Sequence, residues 1–216
     1  MSKKYIIGVD EGSQSAKIII FDLEGNIVCE GKEPLRPYDL PEPGIVEHPD
    51  DDWWDAIGVA GKKCMANFKG NVEDILGIGL CTIRFCRAYL KEDGTLAQPA
   101  MSWMDVRVSK PYEHTNPEVR YVTTSSGYIT HRFTGEFKDT AANYQGMWPM
   151  DTDKWEWLPD GEQFDYYGIP REMLFGLVMP GDILGYVTEE AAKATGFPKG
   201  LPVVATSNDK AVEGLG

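Results

Sequence analysis

The chain has 216 residues, of which 42% are hydrophobic, so it is long enough for one large or two small globular domains and too apolar to be disordered. Its 21 basic and 34 acidic residues give a net charge of −13, which argues against nucleic acid or an anionic membrane as a partner. No apolar run approaches the roughly 20 residues that cross a bilayer, and no signal peptide is visible. The four cysteines show no metal-ligand spacing, so we expect reduced thiols in a cytoplasmic protein.

The first third of the chain predicts an antiparallel meander followed by a helix. Strands are predicted over residues 5–9, 16–21 and 27–33. The proline-rich segment 34–44 is expected to be a loop. Apolar residues then recur at helical spacing from Trp53 to Phe68, and Pro49 and three aspartates before them suit a helix N-terminus.

The rest of the chain alternates between short strands and helices. A strand predicted over 74–81 is apolar throughout, which indicates burial on both faces. Further elements are predicted in this order: a hairpin of 86–90 and 95–102, a helix over 119–133, an irregular stretch over 147–159, a helix over 189–195, a strand over 202–206 and a helix over 211–216. The pattern predicts an α/β domain with a mixed sheet flanked by helices.

The turn between the first two strands has the residues of a phosphate site, in the order Gly8-Val9-Asp10-Glu11-Gly12-Ser13-Gln14-Ser15. A carboxylate at a strand end, here Asp10, can hold Mg²⁺ through water. Gly12 has no Cβ to keep a phosphate away from the backbone. The turn leads into a strand and not into a helix, so it is neither a Walker loop nor a dinucleotide-binding fingerprint. An ordinary hairpin explains the same residues about equally well.

The strand over 202–206 leads directly to Asn208-Asp209, which we expect at its C-terminal tip. An exposed but fixed carboxylate at a strand tip suits a kinase base, because an ionised Asp can accept the proton of an attacking hydroxyl. The alternative is a simple Asn-Asp helix cap, which the segment alone would favour.

Five segments in this order resemble the N-terminal domain of the FGGY-family carbohydrate kinases, the group of xylulose, ribulose, fuculose and glycerol kinases. The segments are 5–22, 47–55 with its Asp-Trp-Trp, 103–107, 133–135 and 200–216. The resemblance implies a ribonuclease H-like domain of the actin-like ATPase fold. It also implies ATP- and Mg²⁺-dependent phosphorylation of a sugar or polyol hydroxyl.

The resemblance further implies roles for individual residues. Phosphate and metal binding falls on Asp10, Gly12, Ser13, Gln14 and Lys17, with Asp10 holding Mg²⁺ through water. The catalytic base falls on Asp209. Substrate binding falls on Arg84, Phe85, Trp103, Asp105, Arg107 and Asn208. The expected partner is a small sugar or polyol, and the assembly of two copies into a homodimer is left open.

The chain also departs from the family pattern. It corresponds, over 1–216, to the N-terminal substrate-binding domain without the C-terminal nucleotide-binding domain, so we expect no turnover by this chain alone. The connection between Arg107 and Val122 is shorter than is usual in the family, and Phe85 stands where relatives often have a polar residue. Two alternatives stay open: a non-catalytic truncated or pseudo-enzyme domain, and a fragment of another actin-like ATPase. The segment 103–107 and Asp209 argue against the second.

Overall fold

The computed structural model describes residues 4–215. The strands are β1 (Tyr5–Glu11), β2 (Ser15–Asp22), β3 (Ile27–Pro34), β4 (Glu47–His48), β5 (Ile75–Thr82), β6 (Ala88–Leu90), β7 (Ala100–Met101), β8 (Tyr121–Thr123), β9 (Lys138–Thr140), β10 (Met150–Asp151), β11 (Glu156–Trp157), β12 (Gly176–Val178), β13 (Ile183–Tyr186) and β14 (Pro202–Ala205). The helices are α1 (Asp52–Asn67), α2 (Ser125–Thr134), α3 (Glu162–Asp165), α4 (Glu189–Thr195) and α5 (Asp209–Leu215).

A six-stranded mixed sheet forms the centre of the domain, in the order β13-β14-β5-β1-β2-β3. The pairs β1–β2 and β2–β3 are antiparallel, while β5 is parallel to both β1 and β14. The register places Asp10 opposite Lys17 on β2 and opposite Cys81 on β5. Strand β14 lies beside β5, so β5 alone separates it from β1 in the sheet.

Helix α1 covers one face of this sheet. Its buried side includes Trp53, Ile57 and Cys64, and the helix lies so close to β3 that a Cβ on Gly31 would come within 2.1 Å of the Ala60 carbonyl oxygen. The Cys29 and Cys64 Sγ atoms approach to 3.4 Å across the same contact as free thiols. The absence of a side chain on Gly31 is therefore what allows this close strand–helix packing.

A second buried cluster lies under the short strands of the chain's middle. It contains Tyr112, Val119, Val122, Ala141, Tyr144, Trp148, Met150, Ile169 and Met173. The connection after Arg107 takes part in it through Tyr112, whose ring packs edge-on against Tyr89 with centroids 5.3 Å apart.

The structure confirms the predicted meander, the first helix, the strand at β5, helix α4 and the strand at β14. The prediction that β5 is buried on both faces is wrong: Leu76 is exposed, and Gly79 and Cys81 are only half-buried because one face of the strand borders an open cleft. The single helix predicted over 119–133 is also wrong. Strand β8 precedes α2, and the Thr124 side chain accepts a hydrogen bond from the Gly127 N–H, so the helix begins only at Ser125.

The hairpin predicted over 86–102 forms only in part. Single bridges join Leu90 to Leu96 and Arg87 to Met101, whereas β6 makes its ladder with β8. Strand β13 at the sheet edge was not predicted, and the stretch predicted as irregular holds the short pair β10–β11. The first helix begins at Asp52, three residues after Pro49, and the end of the predicted last helix, Gly216, lies outside the described residues. Among residues 4–215, no helix is long and apolar enough to span a bilayer.

Candidate active site

A cleft of about 350 Å³ opens on the sheet face opposite α1. Its lining brings Asp10 on β1 together with Lys17 on β2 and Asp209 at the start of α5. Strand pairing explains the meeting of residues so far apart in sequence, because β5 lies between β1 and β14 and holds both in parallel register. Strand β1 therefore contributes one end of the predicted site, and the segment that follows β14 contributes the other.

The cleft is electrostatically negative around Asp10. Burial raises the pKa of Asp10 above its ordinary value, and the nearby charges of Asp209 and Glu213 raise it further, while Lys17 acts in the opposite direction. The positive charge of Lys17 is also partly neutralised by Glu30, since the Lys17 Nζ lies 3.5 Å from a Glu30 carboxylate oxygen. The cleft thus holds more negative than positive charge, which favours a bound cation.

The conformation of the turn after β1 is fixed by hydrogen bonds to its backbone carbonyl oxygens. The Gly12 N–H donates to the Ser15 carbonyl at 3.1 Å, and the Leu35 N–H donates to the Gln14 carbonyl at 2.9 Å. The Tyr38 hydroxyl donates to the Ser13 carbonyl at 2.9 Å. A Cβ on Gly12 would meet nothing closer than 3.6 Å, so the fold itself does not require glycine there.

Asp209 is the first residue of α5, and its carboxylate is only partly exposed. Its Oδ1 atom is shielded from solvent and has no hydrogen-bond partner within residues 4–215. The preceding Asn208 is buried: its Nδ2 donates to the Ala142 carbonyl at 3.3 Å, and its Oδ1 accepts from the Ala211 N–H at 3.2 Å. Asn208 therefore caps α5 and fixes the start of the helix from which Asp209 projects.

Arg84 and Phe85 follow β5 at the same end of the sheet. The Arg84 guanidinium lies 4.7 Å from the centre of the Phe85 ring, and its Nη1 donates to Gln145 Oε1 at 3.4 Å. Phe85 has a φ of 67°, a left-handed conformation that is strained for a bulky residue, and the side chain is 36% exposed. Gly146 leaves room for it, since a Cβ there would lie 3.2 Å from the ring.

In the segment 103–107, Trp103 is exposed to solvent, whereas Asp105 and Arg107 are hydrogen-bonded within the protein. Trp103 is 48% exposed, whereas Asp105 is 1% exposed and accepts hydrogen bonds from the Val46 N–H and from Arg107. Arg107 also donates to Glu47 at 2.6 Å. Burial alone would raise the pKa of Asp105, but these hydrogen bonds outweigh it and hold the pKa below its ordinary value. Hydrogen bonds from Val46 to Asp105 and from Arg107 to Glu47 therefore hold this segment against β4.

Several groups near the cleft were not expected from sequence. Cys81 and Glu213 line it, and burial together with the charges of Asp10 and Asp209 raises the pKa of the Cys81 thiol to about 12. Gln145 contacts Arg84 from 61 residues away along the chain. Only the parallel register of β1 with β5 could have indicated Cys81, and no sequence pattern indicates Gln145.

A larger cavity of about 680 Å³ lies at the side of the domain, between the start of α1, the turn at Gly94 and helix α2. Asp51 and Arg132 form an ion pair there, and the Tyr128 hydroxyl is hydrogen-bonded to both. This cavity contains none of the predicted site residues, so size alone does not identify the site.

The sequence profile described as the N-terminal domain of the FGGY family of carbohydrate kinases matches residues 5–117 and 108–216. The two matched segments overlap at 108–117, within the connection between Arg107 and Val122. An uncharacterized sugar kinase of Escherichia coli K12 is 59% identical over 216 residues, which cover 100% of this chain and 44% of the relative. The glycerol kinase of Thermococcus gammatolerans is 24% identical, with 96% and 48% covered. The chain thus spans about half the length of the curated relatives it matches.

Solved structures agree on the fold. The xylulose kinase of Rhodospirillum rubrum superposes with a TM-score of 0.86 at 21% identity, covering 98% of this chain and 51% of that one. The gluconate kinase of Lactobacillus acidophilus gives 0.85 at 18% identity, covering 98% and 49%. The Plasmodium falciparum glycerol kinase with ADP gives 0.74 at 16% identity, covering 97% and 49%. The predicted ribonuclease H-like, actin-like ATPase fold is confirmed.

Proposed function

Because this chain belongs to the FGGY family of carbohydrate kinases, whose N-terminal domain it matches along its length, we propose that it forms the sugar-binding side of an ATP-dependent kinase acting on a sugar or polyol hydroxyl. The observation that carries the proposal is the meeting of Asp10 and Asp209 in one cleft, from opposite ends of the chain. Phosphoryl transfer needs both a base near the acceptor and a carboxylate near the phosphates.

In this proposal Asp209 accepts the proton of the sugar hydroxyl as that oxygen attacks the terminal phosphate of ATP. The role is supported by the place of Asp209 in the lining of the cleft and by its carboxylate, which is 23% exposed and whose Oδ1 accepts no hydrogen bond within residues 4–215. The Asn208 cap holds the start of α5, so Asp209 would need little reorganisation during the reaction.

The phosphate side consists of Asp10 and the turn after it. In this proposal Asp10 holds Mg²⁺ through water, as a carboxylate near a strand end can. A cation also fits this site because burial, and then repulsion from Asp209 and Glu213, raise the pKa of Asp10 by disfavouring its negative charge. Bound Mg²⁺ would neutralise charge on the phosphate oxygens. Gly12, Ser13 and Gln14 would bind phosphate from the turn, with Lys17 beside them.

The sugar side is formed by Arg84, Phe85, Trp103 and Arg107. Arg84 presents guanidinium donors for vicinal hydroxyls, and the exposed faces of Phe85 and Trp103 suit stacking against a sugar ring. Asp105 and Asn208 act differently from the sequence-based expectation: both are buried with their polar atoms engaged. We assign them to holding the 103–107 segment and α5 in place.

The experiment joins this chain to the remaining part of the Escherichia coli sugar kinase and measures ADP release with a panel of ketoses, aldonates and polyols. We expect turnover with at least one acceptor, and none from the 216-residue chain alone, because the adenosine contacts would come from the second half of the protein. Asp209→Asn should lower turnover by at least about 100-fold. Asp160→Asn, which removes an exposed carboxylate outside the cleft, is the matched control.

A folded chimera that phosphorylates none of the acceptors would contradict the kinase assignment and favour a non-catalytic domain. A near-normal rate for Asp209→Asn would remove Asp209 as the base. Turnover by the chain alone would show that the second half is not needed.

A further inference from the structure

We infer that Asp139, acting through Thr140, is a positioning residue for Asp209. The inference rests on the proposed function, in which Asp209 is the catalytic base. A buried hydrogen-bonded network joins β9 and the turn after it to the segment immediately before α5, although the bonded residues are 66 positions apart in sequence.

Asp139 is the centre of this network. It is 0% exposed, and its carboxylate accepts hydrogen bonds from the Thr124 and Ser126 hydroxyls and from the Thr140 N–H, each at 2.7 Å. Thr124 and Ser126 belong to the N-terminal turn of α2. A buried carboxylate with three donors is a rigid junction, because each donor satisfies an oxygen that would otherwise lie unpaired in the protein interior.

Two hydrogen bonds lead from this junction to the residues before Asp209. The Thr140 hydroxyl donates to the Thr206 carbonyl at 2.6 Å, and Asn208 donates to the Ala142 carbonyl at 3.3 Å. Thr206 follows β14, and its own hydroxyl donates to the Leu80 carbonyl on β5 at 2.5 Å. The segment 206–208 is therefore held from β5 on one side and from β9 and its following turn on the other.

The same junction reaches the sugar side of the cleft. Ser125, between the two hydroxyl donors to Asp139, donates to the Ile83 carbonyl at 2.7 Å, directly before Arg84. One buried carboxylate thus joins the start of α2, which contacts the end of β5 through Ser125, to Thr140, which contacts the end of β14. Displacement of this junction would move the base and Arg84 relative to each other, which matters because misplacement of reacting groups by about 1 Å is costly in rate.

The first experiment measures amide hydrogen exchange on the 216-residue chain with Thr140→Val, which removes one hydroxyl at nearly constant volume. We expect exchange in peptides covering 206–212 to rise roughly three- to tenfold, as for the loss of one buried hydrogen bond, with β1 and β2 unchanged. Thr140→Ser should restore protection. Thr195→Val is the matched control, since Thr195 is buried and its hydroxyl donates to the Ala191 carbonyl on α4.

Asp139→Asn should act in the same direction as Thr140→Val, because an amide NH₂ cannot accept a hydrogen bond from one of the two hydroxyls. Unchanged exchange over 206–212 in either variant would overturn the inference. An equal rise in β1 and β2 would also overturn it, since that pattern indicates general destabilisation.

The second experiment measures kinetics in the chimera described above. Thr140→Val should lower kcat and leave the KM for sugar nearly unchanged, and Thr140→Ser should recover the rate, as expected when a base is displaced but the sugar contacts remain. A higher KM with unchanged kcat would overturn the inference. If the unsubstituted chimera has no activity, the proposed function fails, and the exchange experiment still decides whether Asp139 and Thr140 hold the segment.

Discussion

Asp10 and Glu11 are adjacent on β1, yet their side chains lie on opposite faces of the sheet. Asp10 lines the cleft, whereas Glu11 is 0% exposed and neither of its carboxylate oxygens has a hydrogen-bond partner within residues 4–215. The alternation of side chains along a strand explains the separation. Burial first, and then the charges of Asp10 and Asp52, raise the pKa of Glu11 well above its ordinary value of 4.5.

The raised pKa of Glu11 predicts a pH-dependent stability. The folded chain binds a proton that the unfolded chain releases above about pH 4.5, so this contribution to stability is present at lower pH and is lost as pH rises towards the folded pKa. We expect Glu11→Gln to raise the free energy of unfolding at pH 8 by at least about 1 kcal/mol relative to the unsubstituted chain, and by less at pH 5.

Urea denaturation at the two pH values measures this effect. The exposed Glu24→Gln is the control and should change neither value by more than about 0.5 kcal/mol. An equal effect of Glu11→Gln at pH 5 and pH 8 would show that Glu11 does not bind a proton on folding.

Arg132 is predicted to stabilise the start of α1. Its guanidinium is hydrogen-bonded to Asp51 and Tyr128 and lies 5.0 Å from the centre of the Trp54 ring. Arg132→Ala would leave Asp51 partly buried without its cation, so we expect a loss of about 2 kcal/mol in the free energy of unfolding.

Arg171 offers a matched comparison, since it also pairs with an aspartate, Asp160, and lies over an aromatic ring, but at an exposed position. Arg171→Ala should cost less than about 1 kcal/mol in chemical denaturation. Equal losses for the two variants would mean that burial does not strengthen the Arg132 pair.

Gly12→Ala separates folding from phosphate binding. The added Cβ would meet only the Ser15 carbonyl, at 3.6 Å, so the free energy of unfolding should change by less than about 0.5 kcal/mol. A methyl group on the turn would, however, keep a phosphate from the backbone, and we expect the KM for ATP in the chimera to rise about tenfold or more.

The glycine in α5 supplies the control, because Gly214 has open space around it and Gly214→Ala should leave the KM for ATP unchanged. An unaltered KM in Gly12→Ala would argue that phosphate does not approach this turn.

Trp103 tests the sugar side. Because the side chain is 48% exposed, Trp103→Ala should alter the free energy of unfolding only slightly while raising the KM for sugar in the chimera several-fold. Tyr166→Ala, at another exposed aromatic residue, should alter neither. An unchanged KM for sugar in Trp103→Ala would remove this residue from the pocket.

Local sequence patterns were sufficient to predict those helices and strands in which buried residues recur at regular spacing. The meander, α4 and β14 have clear apolar runs and turn residues, so the prediction agrees with the structure. The helix over 119–133 failed because Val119 and Val122 are apolar for another reason: they pack into the second buried cluster, before Thr124 starts α2. Strand β13 is short and lies at an edge, where pairing with β14 and not composition defines it.

In the candidate site too, residues marked by local patterns could be predicted, whereas residues defined by long-range contacts could not. The meeting of Asp10 and Asp209 in one cleft could be anticipated, because Asp10 lies near the end of a recognisable strand and Asp209 closely follows another. Glu213, Gln145 and Asp139 could not, because their significance comes from contacts with distant parts of the chain. Asp105 was expected to touch sugar, but no sequence pattern indicated that the Val46 N–H and Arg107 would engage its oxygens.

The position of β14 beside β5 has a consequence for biosynthesis. Strand β5 pairs with β1 early in the chain, but its other edge is completed only by β14, more than 100 residues later. While the ribosome is still adding those residues, the edge of β5 has unpaired backbone groups and can pair wrongly with another chain. The candidate cleft is therefore among the last parts of the domain to form, and slow synthesis between β5 and β14 should favour aggregation.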